Sequence, residues 1–98
     1  MRLALMVSGK LGFQTLKSLK DRHEIIAIFT DKGSQAIIDY AERNYLYSYI
    51  GNPRNGKASS FIANKEIDVL LSVNYLFLIE EDLIHWPKTA AINLHGSL

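Results

Sequence analysis

Cysteine is absent from the 98-residue chain, and proline occurs only twice. Without cysteine the chain can form no disulfide, no thiolate nucleophile and no cysteine-ligated zinc site. Long apolar runs are also missing: none approaches the roughly 20 residues that span a bilayer. The short run at residues 1–7 is interrupted by Ser8 and Gly9, which argues against a signal peptide. We therefore expect a cytoplasmic protein with no membrane partner.

An excess of charge of either sign is lacking as well. Eleven basic residues face ten acidic ones, so the formal net charge is +1. This balance gives no electrostatic reason to expect a nucleic-acid partner. Hydrophobic residues make up 48 % of the chain and charged residues 21 %, as in ordinary globular domains. The length fits one domain or a piece of one.

Apolar runs typical of buried strands alternate along the chain with segments of helical spacing. Between the first strand and the first helix, the segment from Gly9 to Gly12 is expected to form the turn. The alternation predicts an α/β fold, a Rossmann-like parallel sheet with helices on both faces, truncated after about five strands. The predicted strands cover residues 2–7, 24–30, 46–50, 68–73 and 90–95, and the predicted helices cover 13–22, 34–44, 58–64 and 80–84.

Polar or glycine-containing segments follow three of the predicted strands. They are residues 8–12, 72–75 and 93–96. Ligands of open parallel sheets bind beyond the carboxyl ends of the strands, so all three segments are candidate sites.

The last predicted strand carries two polar side chains on one face. Asn93 and His95 are two residues apart and share a face, while Ile92 and Leu94 are expected to point the other way into apolar packing. An asparagine amide can donate to the oxyanion of an acyl transfer, and a histidine can move protons near neutral pH. The alternative is a strand end with polar capping residues, because short motifs often occur by chance.

Residues 91–98, Ala-Ile-Asn-Leu-His-Gly-Ser-Leu, resemble the signature strand of the 10-formyltetrahydrofolate-dependent formyltransferases. The resemblance extends back through residues 68–79. Gly96 after the histidine is most similar to the sugar-nucleotide N-formyltransferases. The resemblance implies that residues 1–98 are the amino-terminal part of a formyltransferase catalytic domain whose downstream part is absent.

The resemblance further implies transfer of a formyl group from 10-formyltetrahydrofolate to the amino group of a nucleotide-linked amino sugar for polysaccharide biosynthesis. Asn93 and His95 would be catalytic, with no metal. Tyr75 could also reach the acceptor, although the whole loop could instead simply cover the sheet end. The folate-binding residues implied by the resemblance are Val73, Asn74, Tyr75, Leu76, Phe77 and Leu78.

Ser8, Gly9 and Lys10 follow the first predicted strand and are candidate substrate-binding residues for the phosphate region of the acceptor. The segment lacks the Gly-Lys-Ser/Thr triplet of a P-loop and the full dinucleotide fingerprint. Asp31 ends the second strand, roughly where a ribose-binding acid would sit. A tight turn without ligand contact is the competing interpretation.

Two other functions stay open. One is a methionyl-tRNA formyltransferase, and the other is a non-catalytic nucleotide-binding or interaction module. The aspartate that assists catalysis in the family has no counterpart within the 98 residues. The resemblance thus implies little activity for the chain alone. Uncovered sheet edges would favour a homodimer or other self-association.

Overall fold

The structure, a computed structural model, describes residues 1–94. Strands and helices alternate along this part of the chain, as the apolar pattern predicts. The elements are β1 (Arg2–Val7), α1 (Gly9–Lys20), β2 (Glu24–Thr30), α2 (Gln35–Arg43), β3 (Ser48–Ile50), α3 (Lys57–Ile62), β4 (Val69–Val73), α4 (Glu81–Ile84) and β5 (Ala90–Leu94).

The five strands form one parallel sheet in the order β3-β2-β1-β4-β5. From β1, the chain passes to β2 and β3 on one side of the sheet. It then crosses to the other side of β1, where β4 and β5 lie. The direction of winding therefore switches between β1 and β4, and a ligand crevice is expected at the carboxyl ends of these strands. The predicted Rossmann-like α/β fold is confirmed.

Alternating side chains of β1 supply the centres of two apolar layers. Leu3, Leu5 and Val7 pack with α1 and α2, whereas Ala4 and Met6 pack with α3 and α4. Both layers contain fully enclosed side chains, which places the core on both faces of the sheet. Helices therefore cover both faces, as predicted, because a two-residue strand repeat distributes apolar residues to both sides.

The predicted turn at residues 9–12 is wrong, since α1 already begins at Gly9. Gly9 has φ of +68°, so this single residue reverses the chain direction after β1. Gly12 lies inside the helix, where a Cβ atom would come within 3.0 Å of the Val7 Cβ. Glycine at position 12 allows α1 to pack closely on the end of β1, and this contact explains its place within a helix.

Several predicted boundaries shift by one or two residues. Ser34 and Asn44 cap α2 instead of belonging to it. β3 is shorter than the predicted strand, because Leu46 donates its N–H to the Ala41 carbonyl at 2.9 Å and packs under α2. The third helix ends at Ile62, and Asn64 reverses the chain with φ of +67°.

The expectation that Ile92 and Leu94 point into apolar packing is also wrong. Their side chains are 44 % and 51 % exposed. β5 is an edge strand, and on this side no described element lies over it. Alternation correctly assigns the two side chains to one face, but it carries no information about whether that face is covered.

Candidate active site

A cavity of about 570 Å³ opens at the carboxyl ends of β4 and β5, on the side of the sheet that carries α4. Its volume lies in the range that holds a small-molecule ligand or cofactor. Most of its wall is apolar, and Ser72, Asn74 and Asn93 add polar groups. The lining residues are Leu70, Ser72, Asn74, Tyr75, Leu76, Phe77, Leu78, Ile79, Ile84, Ala91, Ile92 and Asn93.

Asn93 reaches the cavity because of strand register. It lies directly across from Ser72 in the parallel β4–β5 pair. Residues opposite each other in neighbouring strands point to the same face, so both side chains lie on the cavity side, together with Leu70. Ser72 begins the candidate segment 72–75, but the sequence assigned it no catalytic or binding role. A lone serine within the apolar run of β4 is the sequence signal that points to it.

Residues 74–79 form the outer wall of the cavity and will be called the 74–79 loop. Asn74 turns the chain out of β4 with φ of +55°, a conformation that asparagine tolerates better than most residues. Its N–H donates to the Leu94 carbonyl at 3.4 Å. Leu76 and Leu78 leave 66 % and 89 % of their surfaces exposed. An apolar rim beside a cavity suits a ligand with a broad apolar surface.

Five of the six residues predicted to bind folate line the cavity, from Asn74 to Leu78. Val73 does not. Its side chain is 3 % exposed and packs on the opposite face, with Val7 and Leu16. The strand alternation that brings Ser72 to the cavity turns Val73 away from it.

Tyr75 contributes its ring to the cavity wall and packs edge-on against Phe77, with 5.7 Å between ring centroids. Its hydroxyl oxygen is buried and has no hydrogen-bond partner among residues 1–94. Burial raises the pKa of this phenol, and the nearby Asp31 and Tyr49 raise it further. Tyr75 therefore stays neutral at physiological pH, and its enclosed hydroxyl is poorly placed to contact an acceptor.

The predicted substrate residues Ser8, Gly9 and Lys10 lie outside this cavity. The Ser8 hydroxyl accepts a hydrogen bond from the Leu76 N–H at 3.2 Å. The Gly9 N–H donates to the Ser34 hydroxyl at 3.0 Å. Gly9 and Lys10 instead line a separate cleft of about 380 Å³ between the starts of α1 and α2. The residues predicted to bind folate and those predicted to bind the acceptor phosphate therefore lie mostly in two different places, the cavity and this cleft.

Asp31 follows β2, and its carboxylate accepts hydrogen bonds from the residues that precede α2. Its carboxylate accepts from the Gly33 N–H at 3.0 Å and from the Ser34 hydroxyl at 2.8 Å. Burial alone would raise the pKa of Asp31, but hydrogen bonds from Ser8, Ser34 and the Gly33 N–H outweigh burial and lower it. These interactions leave Asp31 as an internal anchor and not as an open ribose-binding acid.

The second predicted catalytic residue, His95, lies outside the described residues, as do Gly96 and the rest of the signature segment. Within residues 1–94, no three histidine or acidic side chains lie together as metal ligands would. In the same part of the chain, no helix has the length and apolar character needed to cross a bilayer.

Two curated proteins resemble the chain, although no family model matches it. A methionyl-tRNA formyltransferase of Fusobacterium nucleatum subsp. nucleatum is 30 % identical over 111 residues, covering 100 % of this chain and 35 % of the relative. A methionyl-tRNA formyltransferase of Blochmanniella floridana is 29 % identical over 89 residues, covering 78 % of this chain and 26 % of the relative. The chain is similar to formyltransferases.

These relatives support the formyltransferase resemblance seen in the signature strand. They give no support to the sugar-nucleotide branch. The chain spans about a third or less of the length of the two curated relatives.

Proposed function

We propose that this chain is the amino-terminal, folate-binding part of an N-formyltransferase catalytic domain. The observation that carries the proposal is the cavity that Asn93 shares with the 74–79 loop. The resemblance assigns these two segments to formyl transfer and to folate binding, respectively. They are separate in the sequence, and the parallel pairing of β4 with β5 brings them to one pocket. Sequence similarity to two formyltransferases supports the same function.

The cavity suits the flat, polar-edged ring of a tetrahydrofolate. Leu70, Ile79 and Ile84 offer apolar surface to the faces of such a ring. The 74–79 loop belongs to no helix or strand, so its backbone groups can bind the hydrogen-bonding edge of the ring. 10-Formyltetrahydrofolate would be the formyl donor, and none of these contacts requires a metal.

Asn93 would act at the reacting carbon. Attack of the acceptor amine on the formyl group places negative charge on the formyl oxygen. The Asn93 amide would donate a hydrogen bond to that oxyanion, which then collapses with cleavage of the bond between the formyl carbon and the folate nitrogen. The acceptor amine loses a proton during this exchange and the departing folate nitrogen gains one, and His95 would help to transfer it. Removal of one oxyanion donor typically costs about 10²–10³ in kcat.

Methionyl-tRNA is the acceptor that the comparisons favour, since both curated relatives are methionyl-tRNA formyltransferases. The sugar-nucleotide acceptor depends on Gly96 alone. The chain has a formal net charge of only +1. We therefore expect this region to provide the formyl-donor site and to contribute little of the affinity for RNA.

A binding experiment tests the donor site. 5-Formyltetrahydrofolate, a stable relative of the donor, is titrated into the chain by calorimetry. Leu78→Asp places a charge on the apolar rim and should weaken binding about tenfold or more. Leu11→Asp is the matched control, because Leu11 is 40 % exposed on α1 and does not line the cavity. Absence of binding by the unmodified chain, or equal losses in both variants, would refute the donor site.

Turnover by the whole protein separates the acceptors. Formyl transfer to methionyl-tRNA is compared with transfer to UDP- and dTDP-linked amino sugars. Asn93→Ala should lower kcat about 10²–10³-fold, whereas Gln14→Ala, which removes an exposed amide on α1, should have no effect. If only the nucleotide-linked amino sugars are formylated, the acceptor is a sugar nucleotide and not methionyl-tRNA. Transfer to none of these acceptors, despite folate binding, would favour a non-catalytic module.

A further inference from the structure

The 74–79 loop packs on the core through Tyr75 and Ile79, whereas its middle has little packing of its own. It belongs to no helix or strand, and Leu76 and Leu78 at its centre are largely exposed. Apolar packing therefore restrains its middle only weakly. Within the described part of the chain, a tertiary hydrogen bond reaches that middle: the Leu76 N–H donates to the Ser8 hydroxyl at 3.2 Å, across 68 positions of sequence.

Ser8 accepts in this hydrogen bond, because a backbone N–H can only donate. A serine hydroxyl has one hydrogen to donate and two lone pairs to accept with. Its own hydrogen remains for another acceptor, and a hydrogen bond from Ser8 is one of the causes that lower the pKa of Asp31. Ser8 is also held by its own N–H, which donates to the Val73 carbonyl at 3.4 Å.

Asp31 itself has little freedom to move. The Gly33 N–H and the Ser34 hydroxyl occupy its two oxygens at 3.0 and 2.8 Å. Ser34 in turn accepts from the Gly9 N–H at 3.0 Å. The ends of β1 and β2 and the start of α2 thus form one closed network, and Ser8 connects it to the 74–79 loop.

We propose that Ser8 is a positioning residue, supported by Asp31, that holds the 74–79 loop in the shape required to bind the formyl donor. This role differs from direct contact with the acceptor. Ser8 is 8 % exposed and does not line the cavity, so it acts through Leu76 and not on a ligand. A loop held in its binding shape loses less conformational entropy when the ligand arrives. The effect on folate rests on the proposed function, whereas the effect on the loop does not.

Hydrogen exchange of single amides in the chain tests the loop directly. Ser8→Ala should accelerate exchange at Leu76 about tenfold and leave the β4 amide of Leu70 unchanged. Ser8→Thr keeps the hydroxyl and should restore protection at Leu76. Ser18→Ala, which changes an exposed serine of α1, is the matched control. Should Ser8→Ala not fold, Asp31→Asn retains Ser8 and is expected to accelerate exchange at Leu76 to a smaller extent.

The same variants are titrated with 5-formyltetrahydrofolate. Ser8→Ala should weaken binding about five- to tenfold, and Ser8→Thr should bind like the unmodified chain. Unchanged hydrogen exchange at the Leu76 amide in Ser8→Ala would overturn the proposal. Full folate affinity in a variant whose Leu76 amide exchanges faster would also overturn it. If the unmodified chain binds no folate, the proposed function fails, while exchange at Leu76 still decides whether Ser8 positions the loop.

Discussion

Replacement of Gly12 by alanine tests whether the fold requires the close approach of α1 to β1. The added methyl group would lie 3.0 Å from the Val7 Cβ, 3.2 Å from its carbonyl carbon and 3.3 Å from its Cα. Two of these three atoms are backbone. Val7 is fully buried and pairs with Val73 of β4, so the strand cannot yield without disturbing the sheet.

Two effects of opposite sign compete in Gly12→Ala. Alanine improves helix propensity by about 1 kcal/mol relative to glycine. Overpacking of a close-packed core typically costs about 1–3 kcal/mol. Because the clash involves backbone atoms and a buried central strand, we expect the steric cost to dominate. The net loss should be about 1 kcal/mol, which lowers the melting temperature of a domain of this size by about 4–8 °C.

Urea denaturation followed by circular dichroism measures this loss. The midpoint of Gly12→Ala should fall while the m-value stays constant. Ser18→Ala in the same helix controls for propensity, since Ser18 is exposed and its replacement should be neutral or slightly stabilising. A Gly12→Ala variant as stable as the unmodified chain, or more stable, would refute the close-packing role of Gly12.

Three further predictions concern buried polar groups and the open sheet edge. Thr30→Val should stabilise the fold by about 1 kcal/mol in thermal denaturation, because the buried Thr30 hydroxyl has no partner among residues 1–94; a loss would reveal an unseen partner. The hydrogen bonds that lower the pKa of Asp31 stabilise the folded chain at pH values above the ordinary pKa of 3.8. This stabilisation is lost as the pH falls through the folded-state pKa. Asp31→Asn should thus be less stable than the unmodified chain at pH 7, and the difference should shrink as the pH falls below 3.8 and through the folded-state pKa. A difference in stability that does not depend on pH would contradict this cause. We also expect β5, an edge strand with an exposed apolar face, to associate with a second copy of the chain. Leu94→Lys should then lower the average mass measured by sedimentation, whereas Leu11→Lys should not. A chain that is monomeric at all concentrations would contradict this expectation.

The sequence by itself determined the kind and order of the elements. The predicted bounds of the first two strands, residues 2–7 and 24–30, agree with β1 and β2. Apolar periodicity is a local property, and parallel connections follow a fixed hand, so the layered sheet follows from the pattern. The candidate segments after β4 and at the end of β5 also follow from this pattern. Residues of the segment after β4 line the same cavity as Asn93.

Only the tertiary structure decided which atoms meet at that edge. Ser8 looks like a phosphate ligand in the sequence, yet its hydroxyl binds the backbone of Leu76, 68 positions away. Tyr75 turns its hydroxyl into the protein, and Val73 faces the opposite layer from its neighbours in the loop. A side chain's hydrogen-bond partner and the cover over a strand face depend on elements distant in the chain. Local periodicity does not contain information about such contacts. Only packing therefore determines that Ser8 binds the loop and that Leu94 is half exposed in the described part of the chain.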